Sequence, residues 1–281
     1  MSRRRGSRWP NLIIAGAQKA GTTWLHNCLD RHDRVQMSSP KELFHFGMDN
    51  WNDPSRRAEY RAHFSPEPGI AVWGESTPSY LWRRDGSTQF TPQPNSGGDS
   101  ADAIRSTLGD EVSVIVLLRN PVERAIAGAR HQMVMGRLDP EDSIFDADPE
   151  LGIIDLGFYA RHVGHWIEVF DPGQICVLLY DDLEESPIEL LGRAFAFLGL
   201  SVDSLDDHQV ELSRKHSNTH DQLRRRLGVD STVDLVVRPE DVLALEELYQ
   251  EDHAFVSSIT GNELSAWSNT DVMIEKLCTT S

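Results

Sequence analysis

Cysteine is scarce in this 281-residue chain, and the three present, Cys28, Cys176 and Cys278, lie far apart. An odd, widely spaced set excludes a disulfide framework and offers no zinc-ligand spacing, which fits a reducing, cytoplasmic setting. Long apolar runs are missing too. None approaches the roughly 20 residues of a membrane-spanning helix. Basic charge is in deficit, with 27 lysines and arginines against 44 aspartates and glutamates and a formal net charge of −17. Such a balance excludes bulk attraction to nucleic acid or an anionic membrane, so any anion site must be a local basic pocket. The arginines at 3, 4, 5 and 8 imitate the start of a signal peptide, but no adequate apolar stretch or small-residue cleavage site follows. Residues 1–10 therefore read as a flexible basic tail. There are no internal repeats.

What is present suffices for one large globular domain over residues 11–281. Apolar, β-branched runs at 11–15, 35–37, 72–75, 112–118 and 175–179 read as strands. Helical patterns occupy 22–30, 51–64, 122–135, 158–170, 187–198 and 239–260. Strands alternating with helices imply an α/β fold with a central, mainly parallel sheet flanked by helices, a three-layer arrangement. Residues 83–102 are rich in Gly, Pro, Ser and Asp with almost nothing apolar, and read as a mobile loop.

The most informative stretch runs from Leu12 to Leu25. An apolar run ends in Gly16-Ala17-Gln18-Lys19-Ala20-Gly21-Thr22-Thr23, and a helical pattern follows at Trp24. This is the layout of a strand feeding a phosphate cradle at a helix N-terminus. A Walker A loop would place lysine where Thr22 stands, whereas Lys19 sits inside the loop, so a different bond is polarised. A second anion feature ends the strand at 112–118, where Arg119-Asn120-Pro121 precedes a helix carrying Arg124 and Arg130. Two phosphate-like sites at strand ends imply a nucleoside with phosphates at both ends.

On these residues the chain resembles the sulfotransferases that use 3′-phosphoadenosine 5′-phosphosulfate (PAPS), and most of all the branch with heparan sulfate sulfotransferases and bacterial relatives. The loop at 16–23 is similar to that family's 5′-phosphosulfate loop, and Leu118-Arg119-Asn120-Pro121-Val122-Glu123-Arg124-Ala125 to its 3′-phosphate segment. Pro40-Lys41-Glu42-Leu43-Phe44-His45-Phe46, Gly74-Glu75-Ser76-Thr77-Pro78-Ser79-Tyr80 and Gly157-Phe158-Tyr159-Ala160 agree in order and spacing. The resemblance implies a P-loop-type domain in which Lys19 bonds the bridging and sulfonate oxygens. Gly16, Gln18, Ala20, Gly21, Thr22, Thr23 and Trp24 would form the 5′-phosphate loop. Arg119 would grip the 3′-phosphate, and Glu42, with His45 as the substitute candidate, would take the acceptor's proton. Phe44, Phe46, Ser76, Tyr80 and Tyr159 would face the acceptor.

Departures from the family pattern bear on affinity. The usual serine eight positions after the strand-end arginine is Ala127, so either Arg130 or the segment with Arg214, Lys215 and Ser217 takes over the 3′-phosphate, or cofactor affinity is reduced. The histidine at 45 is one place later than in the heparan-type pattern. The product would be 3′-phosphoadenosine 5′-phosphate (PAP), no metal is expected, and the acceptor is a small-molecule, lipid or carbohydrate hydroxyl. A P-loop kinase and a non-catalytic nucleotide-binding protein that retained the fold remain the alternatives, and oligomeric state is open.

Overall fold

Among the described residues five strands form, β1 (Leu12–Gly16), β2 (Val35–Met37), β3 (Val72–Ser76), β4 (Ser113–Leu118) and β5 (Ile175–Leu179), and β1, β4 and β5 are the aliphatic runs. In the computed structural model, which describes residues 9–94, 98–201, 220–228 and 234–278, all five pair in parallel in the order β2-β3-β1-β4-β5. β1 and β4 are buried almost throughout, as a parallel sheet covered on both faces requires. The order makes β1 the switch point: the chain leaves it towards the β3 side and returns on the β4 side. Ligands of open parallel sheets sit beyond the carboxyl end of such a strand.

The helices, in chain order, are α1 (Thr22–Leu29), α2 (Pro54–Ala62), α3 (Ser100–Leu108), α4 (Pro121–Val134), α5 (Tyr159–Val169), α6 (Tyr180–Glu185), α7 (Pro187–Phe197), α8 (His220–Leu227), α9 (Pro239–Leu248), α10 (Gln250–Thr260) and α11 (Thr270–Cys278). α2, α4, α7 and α9 begin at proline, whose fixed φ suits the first helical position and whose missing N–H is not needed there. Among the described residues, no helix is long and apolar enough to cross a membrane.

Two compact units result. The first, within 1–83, 94–118 and 163–217, contains the whole sheet. The second, within 84–93, 119–162 and 218–281, has its own core around Val122, Ile126, Val242, Leu245 and Tyr249. In that core the buried Arg124 donates to the Ile153 carbonyl, and the Tyr249 hydroxyl donates to the Ile154 carbonyl at 2.6 Å.

Two expectations are corrected. The pattern at 239–260 is two helices, because Tyr249 leaves helical geometry (φ −102, ψ 12) while its ring is fully buried. The stretch 83–102 is also more structured than its composition suggests. α3 starts inside it at Ser100, where the Asp99 carboxylate caps the Ala101 N–H at 2.7 Å. Residues 84–93 are tied within the second unit by Thr91 donating to Asp155 at 2.6 Å and by an Arg84–Glu150 ion pair.

Candidate active site

The loop after β1 is shaped by what its backbone must do. Ala17 N–H donates to the Leu117 carbonyl at 2.7 Å, fastening the loop's start to β4. A Cβ on Gly16 would stand 2.6 Å from Leu81 Cβ, so only glycine fits. Gly21 caps α1 with φ 88, and a Cβ there would lie 2.8 Å from Leu183 Cδ1. Lys19 also has positive φ, 67, although it is not glycine. That conformation costs roughly 1–3 kcal/mol and concentrates at functional sites.

Thr22 is buried and Thr23 half-buried at the first two positions of α1, whose first turn holds no acidic residue. Backbone N–H groups and two hydroxyls therefore meet an incoming anion with no competing carboxylate on the helix. Gln18 is half-buried, while Ala20 and Trp24 pack into the core.

The Lys19 ammonium is pushed down to about 8, first by burial and then by Lys41, with Glu42 pulling it back up. Lys41 Nζ donates to Glu42 Oε1 at 2.9 Å and lies 3.5 Å from Thr22 Oγ1. Burial lowers the Lys41 pKa, and Glu42 opposes that shift. Two ammoniums and one carboxylate thus gather at the α1 N-terminus, all within the first unit. Lys41 was not foreseen as a site residue. The only signal for it in the sequence is its place beside Glu42.

Glu75 was missed as well. Its carboxylate is fully buried and accepts from the Tyr60 hydroxyl at 2.6 Å, Thr77 at 2.6 Å, Tyr80 at 3.0 Å and the Leu43 N–H at 3.3 Å. Burial raises its pKa and these donors oppose the rise. Thr77 Oγ1 also accepts from Leu43 N–H at 3.0 Å, so the residue following Glu42 is held from behind by β3 and its extension.

Around this hub the remaining candidates separate. His45 is buried, stacks on Tyr60 at 4.2 Å, and is pushed down to about 4 by burial and by Arg57 and Arg56, which keeps it neutral. Phe46 and Tyr80 are core residues in edge contact. Ser76 is fully buried, with no partner for its hydroxyl among the described residues. Phe44, in left-handed geometry at φ 54, is 46% exposed, the one aromatic of this group that presents its ring to solvent.

In the second unit Arg119 donates to Glu123 Oε2 through Nε at 3.1 Å and Nη2 at 2.7 Å, and Lys276 holds the other Glu123 oxygen at 2.6 Å. Burial works to raise the Glu123 pKa, but these cations overrule it and hold it down. Tyr159 is fully buried and donates to the Arg119 carbonyl at 2.8 Å, so its hydroxyl is spent on the backbone of the strand-end arginine. Ala127 is half-buried on α4. Arg130 donates to the Leu277 carbonyl at 3.1 Å and lies 3.6 Å from Asp234. Arg214, Lys215 and Ser217 lie outside the described residues.

A glycine loop and helix N-terminus closing the central strand of a parallel sheet, with a lysine amine in the loop, are the layout of an α/β class whose loop suits an anion. Comparison with known proteins narrows this class. Residues 100–224 match the family model described as the sulfotransferase domain. It is 28% identical over 207 residues to human heparan sulfate glucosamine 3-O-sulfotransferase 3B1, covering 71% of this chain and 48% of that one. To the bifunctional heparan sulfate N-deacetylase/N-sulfotransferase of Drosophila melanogaster it is 23% identical over 208 residues, covering 67% and 19%. The chain thus spans about half the length of the former and about a fifth of the latter. Its fold is shared with a sulfotransferase from Alicyclobacillus acidocaldarius, with a TM-score of 0.67, 21% identity, and coverage of 92% of this chain and 98% of that one.

Proposed function

We propose that this protein transfers a sulfuryl group from PAPS to a hydroxyl acceptor. The observation that carries the reading is the strained, half-buried Lys19 in the loop after the central strand, with Glu42 near enough to act on its charge. The residues fit such a donor. Gly21 leaves room that a Cβ would fill, and the two ammoniums exceed the one carboxylate among them.

When bound, PAPS supplies a sulfur whose bond to the 5′-phosphate oxygen breaks as the acceptor oxygen bonds to it. Lys19 stabilises the charge that collects on the departing phosphate oxygen. The N–H groups and hydroxyls of Thr22 and Thr23 hold the 5′-phosphate, Gly16, Gln18 and Ala20 shape the loop, and Trp24 anchors it in the core. Glu42 takes the acceptor's proton, with His45 as the substitute base. Arg119 carries the 3′-phosphate role that its motif implies, with Arg130 or the segment at 214–217 supplementing it where Ala127 replaces serine.

The acceptor is a small natural product, lipid or sugar hydroxyl. Phe44, 46% exposed and two residues after Glu42, supports that choice. None of the three cysteines is in a disulfide, which supports a cytoplasmic location. In the Glu42→Gln variant, transfer from labelled donor to the best hydroxyl acceptor in a screen falls by about 10²-fold or more, while PAP binds at least as tightly because a competing anion is gone. Preferential thermal stabilisation by ATP and magnesium over PAP would overturn the proposal.

A further inference from the structure

The cations of this chain are overwhelmingly arginine: of 27 basic residues only four, Lys19, Lys41, Lys215 and Lys276, are lysine. Two of those four meet at one loop. Lys41 comes from the segment after β2, yet its Nζ lies 3.5 Å from the hydroxyl of Thr22, the first residue of α1. A helix N-terminus carries about half a positive charge and repels a cation. Lys19, close enough to lower its pKa through Lys41's charge, repels it again. Burial adds a third cost, since the Lys41 side chain is 18% exposed. Against these stand the Glu42 carboxylate, itself 38% exposed, a long hydrogen bond to the Thr22 hydroxyl and the charge of Glu75. An ion pair serving stability alone has no need of so unfavourable a position. The charge of an anion arriving at the α1 N-terminus would offset all three costs together.

Resting on the sulfotransferase reading, we infer that Lys41 is a second donor-contacting ammonium, shared between Glu42 and the phosphosulfate end of the nucleotide. The sharing couples the two halves of the reaction. While Glu42 is ionised it holds the Lys41 N–H. As the acceptor's proton passes to Glu42, that hold weakens. The ammonium is then released towards the phosphate oxygen that receives the electron pair of the breaking sulfur–oxygen bond. No group beyond donor and acceptor is consumed.

Reductive methylation of the intact protein, read by mass spectrometry with and without saturating PAP, tests this directly. Lys19 and Lys41 are expected to be protected at least tenfold. Protection of Lys19 with Lys41 labelled at its free rate would overturn the inference and leave the sulfotransferase reading standing. Protection of neither, with no PAP binding by calorimetry, would remove both. In parallel, Lys41→Met is expected to weaken PAP binding about tenfold and to lower kcat for transfer more than it raises the donor KM. Lys41→Arg should recover affinity ahead of kcat. A Lys41→Met enzyme within twofold of the parent in both constants would reduce Lys41 to a structural ion pair.

Discussion

The Lys19 amine makes nucleotide affinity depend on pH in a direction that can be worked out beforehand. In the free protein its pKa is lowered to about 8, chiefly by burial. A bound anion favours the ammonium, so binding raises that pKa and takes up a proton wherever the free amine is partly neutral. If only the ammonium form binds, the dissociation constant scales with one plus ten to the power (pH − 8). From pH 7 to pH 9 it then rises about tenfold, roughly 1.4 kcal/mol. The nucleotide's phosphates, with second pKa near 6, are almost fully charged by pH 7 and contribute little over this range. Lys41, also shifted down, acts in the same direction and can only steepen the fall. Calorimetry with PAP at pH 7, 8 and 9, in buffers of contrasting ionisation enthalpy, measures both the constant and the proton uptake. Lys19→Arg, whose guanidinium stays charged, should flatten the profile. A wild-type dissociation constant that is level or decreasing from pH 7 to 9, with no proton taken up, would refute the assignment of Lys19 to the nucleotide.

Two further outcomes follow from the loop and the buried hub. Gly21→Ala forces a side chain into left-handed geometry and towards Leu183; about 1–2 kcal/mol of stability should be lost in urea titration, together with most PAP affinity, and parent-like behaviour on both counts would contradict the geometry. Glu75→Gln presents an amide N–H₂ to hydroxyls that already donate and should cost about 2–3 kcal/mol. A loss under about 0.5 kcal/mol, within the range of ordinary surface changes, would show that the carboxylate is not the hub described.

Local patterns were enough wherever the physics was local. β5 begins and ends where its aliphatic run does, and β4 differs from its run only by excluding Val112. The glycine loop could be located because strand, loop and helix are contiguous, so the backbone demands at Gly16 and Gly21 are written in consecutive residues. Glu75 and Lys41 escaped because the nearby Thr77, Tyr80 and Glu42 are only part of their surroundings, and the rest comes from distant positions: Tyr60 and Leu43 for the first, Thr22 for the second. No periodicity encodes that a carboxylate in a strand will be gripped by a tyrosine of α2. Helical spacing continues through Tyr249, and only the burial of its ring in the second unit's core explains the break between α9 and α10.

Anchoring Glu42 through its neighbour's amide has a consequence for how such a protein can diversify. The support runs inward, through Leu43 to Glu75 and Thr77, whereas Phe44 and much of α2 look outward. On the proposed reading, substitutions on the outer side would retune which hydroxyl compound is admitted while the carboxylate assigned to its proton stays where it is. Specificity is thereby free to drift at little risk to chemistry.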